Sequence, residues 1–167
     1  PPPPAAAVRI ASLRGVDIAP IDLSDAAATE RLLAYVWADQ AERFARTEAA
    51  IALWRARPPR LDQGDAAGWV EARLAESQAE GLTRVLMHSI VWQYLPREGR
   101  ARIVAAMEAA GAEATPERPL AWVRYEADRS LGLHELRVKT WPGGEDRHLA
   151  NAHPHAAWVE WLGEEVA

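Results

Sequence analysis

The side chains here that can do chemistry are carboxylates and imidazoles. The chain has no cysteine, which removes thiol nucleophiles, thiolate metal sites and disulfides together. Asp17 and Asp22 sit in the alternating segment Val16–Leu23, Asp65 follows Gly64, and the His88-Ser89 pair ends the apolar run Val85-Leu86-Met87. Glu126 follows the apolar segment Leu120–Tyr125. Asp65 begins a helix, so it serves either as that helix's cap or as a hydrogen-bond acceptor for a nucleoside or substrate. His88 is placed to act as a base or to orient a substrate near neutral pH, with a hydrogen-bonded structural histidine as the equal alternative. Glu126 is a candidate general base, against a role as helix cap or arginine partner.

His153-Pro154-His155 resembles half of a metal site, because two imidazoles stand two residues apart. Metal-dependent hydrolysis would recruit these two with His148 and an acid such as Asp146. Zinc takes three or four ligands, however, and no spacing here matches a zinc signature, so no metal is expected. Ser89 lies outside any Gly-x-Ser-x-Gly elbow. Neither Gly-x-x-x-x-Gly-Lys nor Gly-x-Gly-x-x-Gly occurs, which counts against a complete nucleotide site within these residues.

The elements that must position these groups follow from pattern. Val16–Leu23 reads as a short strand or extended loop. Ser24 or Asp25 caps a helix through Leu32, Leu33 and Val36, and Asp39 offers a cap for a longer helix to about Ala56. Ala41, Phe44, Ile51 and Ala52 share a face of that helix, and Glu48 and Arg55 fall close to it as a functional pair or an edge salt bridge. Pro58-Pro59 ends it, and Arg60-Leu61-Asp62 is extended. A third helix holds Trp69, Val70 and Leu74. Thr83–Trp92 is the strongest strand, and its continuous apolar centre suits a parallel strand covered on both faces. Pro96–Ala110 is a helix with Ile103, Val104 and Met107 buried and Gly111 as its terminator. Leu120–Tyr125 and Leu133–Trp141 are strands, Pro142-Gly143-Gly144 is a turn, and a last strand includes His148–Ala150.

This alternation predicts an α/β fold, a three-layer Rossmann-like and mostly parallel sheet with an antiparallel C-terminal hairpin, in one domain over 1–167. In such a sheet ligands gather beyond the carboxyl ends of the strands, which selects the acids and the histidine above. Of the eight tryptophans, Trp37, Trp69 and Trp122 are expected in the core. Trp92, Trp141, Trp158 and Trp161 gather toward strand ends and the C-terminus, where they either line a pocket or partner surface or join the core.

Composition bounds the partners. With 49% hydrophobic and 26% charged residues, the chain has the balance of a globular domain. A net charge of −5 argues against a cationic face for nucleic acid, and no apolar run is long enough to cross a bilayer. No export leader is recognisable, so a cytoplasmic location is expected. The sequence opens on Pro1–Pro4 with no methionine, as expected of part of a longer protein.

Arg14-Gly15-Val16-Asp17-Ile18-Ala19-Pro20-Ile21-Asp22 and Trp37-Ala38-Asp39-Gln40-Ala41-Glu42-Arg43 resemble a bacterial family of uncharacterised proteins. So do Pro58-Pro59 leading to Gly64-Asp65, His88-Ser89, Tyr94-Leu95-Pro96, Pro119-Leu120-Ala121-Trp122, His153-Pro154-His155 and Trp158-Val159-Glu160-Trp161. The resemblance runs over nearly the whole chain. It departs at Ala38, where proline is common, and at Ala156, where glycine is common.

The resemblance implies a fold like that of class I S-adenosylmethionine-dependent methyltransferases, with this chain as the C-terminal part of a longer protein. The glycine-rich cofactor loop would lie upstream, so S-adenosylmethionine is expected only in that longer protein. Thr83–Trp92 would be the fourth strand of that fold and Leu120–Tyr125 the fifth. Asp65, with Asp17 and Asp22, would face the cofactor, and His88 and Glu126 the substrate. Trp92, Tyr94, His153, His155, Trp158 and Trp161 are the candidates for contact with a small molecule or protein partner. The alternative is a non-catalytic Rossmann-like module that binds through its tryptophan-rich C-terminus.

Overall fold

The structure, a computed structural model, describes residues 7–128, 132–154 and 157–162. It is mixed α/β, with a two-stranded parallel sheet and a five-stranded mixed sheet. The chain divides into two compact units, one over Ile10–Ala66 and the other built on Ala67–Ala167.

In the first unit, β1 (Arg14–Asp17) pairs in parallel with β2 (Arg60–Gln63), Asp17 standing opposite Gln63. The Arg14 guanidinium forks onto Asp62 at 2.6 and 3.0 Å, a bidentate pair across the two strands. Helices α1 (Ala26–Leu33) and α2 (Ala41–Ala56) form the crossover. Asp25 caps α1 by accepting the Ala27 N–H at 3.0 Å, as its position before the helix predicts. For α2 the capping position falls on Gln40 rather than Asp39, without a side-chain bond. Arg55 reaches the Leu23 carbonyl and the Thr29 hydroxyl instead of Glu48, so it ties α2 to the start of α1. Ile51 is buried as the helical pattern requires, but Trp37 is 74% exposed. Trp37 is therefore no core residue; it lies in the turn between α1 and α2, off both helical stripes.

In the second unit, helix α3 (Ala66–Leu74) precedes β3 (Arg84–Ser89), a single 3₁₀ turn (Trp92–Tyr94), α4 (Arg97–Ala112), β4 (Leu120–Asp128), β5 (Leu133–Trp141), β6 (Glu145–Ala152) and β7 (Val159–Trp161). The strands lie in chain order, with β3 parallel to β4 and every later pair antiparallel. The expected mostly parallel sheet is thus a predominantly antiparallel one. Only residues 129–132 join β4 to β5, and a parallel return needs a crossover of a dozen residues or more. Between β5 and β6 the turn contains Gly143 and Gly144 at φ of 117° and 72°, which side chains rarely tolerate.

Helix α4 packs on β4 and β5 through Ile103 and Met107, both buried, while Val104 is left at the rim. Gly111 does not terminate this helix. It lies inside its last turn, where an added Cβ would fall 2.4 Å from the Trp141 ring, so the glycine admits the indole. Trp122 and Trp141 are core, with 3% and 6% exposure. Along β3 burial alternates, and Val85 and Met87 are exposed. The strand is covered on one face only, the one that carries Arg84, Leu86 and His88, where Arg84 donates to the Leu74 carbonyl at the end of α3.

Candidate functional site

The chemistry-bearing side chains fall into one group in each unit. In the first unit, Asp17 ends β1 and Asp65 follows β2 by two residues, so the parallel pairing places both at the carboxyl end of the two strands. The Gly64 N–H donates to the Asp17 carbonyl at 3.0 Å, fixing that end. The Asp17 carboxylate accepts the Ala19 N–H at 2.8 Å. Asp22 accepts both the backbone N–H and the hydroxyl of Ser24, and these bonds hold its carboxyl below the usual range. Asp22 therefore shapes the turn ahead of Asp25.

In the second unit, His88 and Glu126 meet at the carboxyl ends of β3 and β4. The register sets Ser89 against Tyr125, which carries Glu126 just past the end of β3. Glu126 Oε1 lies 2.6 Å from His88 Nδ1, and Trp122 Nε1 donates to His88 Nε2 at 3.0 Å. An indole N–H only donates, so Nε2 must accept and the imidazole proton sits on Nδ1, facing Glu126. Neither ring nitrogen is then open to a substrate. Trp92 stacks on the imidazole, with centroids 5.1 Å apart and planes 13° from parallel.

Glu126 does more than hold His88. Its oxygens also accept the N–H groups of Val91 at 3.2 Å and Trp92 at 3.3 Å. Those residues follow Ile90, a β-branched residue at φ of 51°. A left-handed conformation costs an L-residue roughly 1–2 kcal/mol, so something must retain it. The Ile90 N–H to Tyr125 carbonyl bond and the Glu126 carboxylate do so from β4. Burial pushes the Glu126 carboxyl up, but the bonds from His88, Val91 and Trp92 outweigh it and leave the group below its ordinary value of 4.5.

Beside this clamp opens a concavity of about 810 Å³, walled by His88, Trp92, Trp122 and α4 and floored by charged side chains of β4, β5 and β6. Arg124 pairs with Asp146 and lies over the Trp122 ring at 4.9 Å. Arg137 pairs with Glu135 at 3.2 Å and Asp146 at 3.4 Å, and Lys139 pairs with Glu108 at 2.6 Å. Burial pushes Asp146 up, but Arg124 and Arg137 outweigh it and hold its carboxyl below the usual range. Sequence reasoning passed over this floor. Its signal was the charge at every second residue of β5, Glu135, Arg137 and Lys139, which a strand places on one face.

The remaining candidates lie elsewhere. Tyr94 is exposed on the 3₁₀ turn. The His153 carbonyl accepts from the Tyr125 hydroxyl, and the His153 ring meets Trp158 edge-on at 6.3 Å. His148 lies against the Ala150 carbonyl and Glu135. His155 lies outside the described residues, among which no three metal-ligating side chains come together. Trp158 is half exposed beside the edge strand β7, and Trp161 is part of it. No described helix is long and apolar enough to cross a membrane.

A family model described as "Uncharacterized protein conserved in bacteria (DUF2332)" matches residues 1–161. The chain belongs to this family. The match takes in both units, with β1, β2 and the His88–Glu126 clamp, and ends with the last residue of β7. No curated protein and no solved structure matches the chain.

Proposed function

We propose that this family member is the acceptor-side part of an S-adenosylmethionine-dependent methyltransferase-like protein, its sheets completed into a Rossmann-like three-layer fold by residues of a longer protein. The observation that carries the reading is the parallel pair β1 and β2, which sets Asp17 and Asp65 at one carboxyl end. That is where open α/β sheets take ligands, and where an acid accepts the hydroxyls of a ribose. A carboxylate has more acceptor sites than Asp17 spends on Ala19, so its turn-forming bond leaves capacity for a ligand. The open edge of β3, whose only partner among the described residues is β4, has room for another parallel strand.

In this reading Asp17 and Asp65 hold the nucleoside end of the cofactor. His88 and Glu126 serve as positioning residues, because both imidazole nitrogens are engaged and Glu126 pins the turn that carries Trp92. Methyl transfer depends on placing two reactants in line, so positioning is itself a catalytic contribution. The test is a thermal shift with S-adenosylhomocysteine on this chain and on the complete gene product. At ligand near 100 times Kd the complete product gains about 2.7 kcal/mol, and Asp17→Ala and Asp65→Ala abolish the gain. No shift in the complete product overturns the proposal.

One observation favours the non-catalytic alternative. Trp158, Val159 and Leu162 are 44%, 61% and 45% exposed around the edge strand β7, an apolar surface with the aromatic content of protein contacts. Under that reading, partner capture or self-association falls on Trp158→Ala or Trp161→Ala while the fold is kept.

A further inference from the structure

We infer that the concavity of the second unit binds a small organic anion with an apolar, ring-bearing body. Its anionic end would meet Arg100 and its body would lie beside Trp92. The inference names an acceptor class for the proposed function and, in that sense, rests on it; the binding itself stands on the pocket.

Four cationic side chains line the concavity: Arg100, Arg124, Arg137 and Lys139. Three of them are spoken for by acids on the same walls, Arg124 and Arg137 by Asp146, and Lys139 by Glu108. Among the described residues Arg100 makes no ion pair. It lies on α4, half-buried, with the exposed N-terminal turn of that helix on one side and the pocket on the other. A guanidinium partly withdrawn from water and lacking a carboxylate gains most from an anion that accepts two of its N–H groups at once.

Four of the five acids that line the pocket are engaged by other groups and leave this preference standing, and Asp128 is the fifth. Glu108, Glu135 and Asp146 are matched by the cations above, and Glu126 is occupied by His88 and two backbone N–H groups. The same pocket is also lined by Val104, one turn along α4 from Arg100, and by Trp92. Trp92 is itself held flat against His88, so its ring is a fixed platform rather than a mobile side chain. A fixed aromatic surface and an unpaired guanidinium in one pocket suit an aromatic carboxylate or an aryl phosphate, whose shared chemistry is a planar body and an oxyanion.

The test follows the indole N–H resonances of the protein, eight tryptophans in all, with Trp92 assigned by Trp92→Phe. Benzoate and phenyl phosphate are titrated with benzyl alcohol as the uncharged control and no cofactor present. The expected result is a saturable shift of the Trp92 signal with at least one of the two anions, at least about tenfold tighter than with benzyl alcohol. Arg100→Gln removes the advantage of the anion, whereas Arg97→Gln on the same exposed turn leaves it. Equal response to anion and alcohol, no saturable response to either anion, or an undiminished response in Arg100→Gln overturns the inference. Because the titration contains no cofactor, failure of the S-adenosylhomocysteine experiment leaves its outcome unaffected, and the two ideas fall separately.

Discussion

Glu126→Gln separates a carboxylate that holds structure from one that reacts. In the native site Oε1 accepts from His88, Val91 and Trp92, while Oε2 accepts only from Trp92, whose N–H is shared between the two oxygens. The amide oxygen of glutamine can take the first position, but its NH₂ must then face the Trp92 N–H, donor against donor. The bond to His88 also loses its ionic character. One charge-assisted bond weakened and one backbone donor left with a single oxygen and facing an NH₂ cost about 1–3 kcal/mol at this mostly buried site. For a chain of this length that lowers Tm by about 2–12 °C.

The effect depends on pH in a fixed sense. The folded-state pKa of Glu126 is depressed below 4.5, so its stabilisation is fully present above the unfolded value and fades as pH falls through the lowered native one. Urea unfolding of wild type and variant from pH 7 down to pH 3 is the assay. The gap between them should be widest near neutrality and close in acid, where the protonated acid resembles the amide. A gap under about 0.5 kcal/mol at pH 7, smaller than the net worth of a typical hydrogen bond, would refute the clamp. So would a gap that does not change with pH.

Gly111→Ala tests the close approach of α4 to Trp141. The helix gains about 1 kcal/mol of propensity, but a Cβ at 2.4 Å from the indole forces repacking that typically costs about 1–3 kcal/mol. Net destabilisation with altered near-ultraviolet tryptophan ellipticity is expected, and a net gain in Tm would contradict the packing described. Two-bond ¹H–¹⁵N spectra of His88 at neutral pH should show the proton on Nδ1, since Trp122 donates to Nε2. A protonated Nε2 at that pH would mean that the indole does not hold the ring.

The proposed methyltransferase-like role and the inferred anion site make separate demands on the chain. The first needs Asp17 and Asp65 to act at one end of a parallel pair; the second needs only the wall between α4 and β4. A protein that binds the anion but never the cofactor would keep the pocket and shift the function toward a binding module.

Sequence alone was enough for what depends on near neighbours. Alternation over Leu133–Trp141 marks β5 to the residue, Arg60-Leu61-Asp62 falls within β2, and Asp25 caps α1. These outcomes are set within a few residues by side-chain period and local hydrogen bonding. His88 and Glu126 were legible as candidates because each closes an apolar run. What they do was not legible, because the clamp requires the register of β3 on β4, which brings together groups more than thirty residues apart. The same register turns Trp122 from an anonymous core residue into the donor that occupies His88 Nε2.

Tertiary packing also decided why Gly111 is a glycine: the reason lies in Trp141 on β5, and not in the helix end that local rules suggest. It turned Arg55 away from Glu48, seven residues earlier on α2, toward the Leu23 carbonyl and Thr29. Direction of pairing lay between these cases. The short link after β4 forbids a parallel return and is visible in the sequence, yet the strand-after-helix rhythm that precedes it suggested a mostly parallel sheet, antiparallel only at its C-terminal hairpin. Periodicity reports which face of an element is buried. Only the fold determines against what.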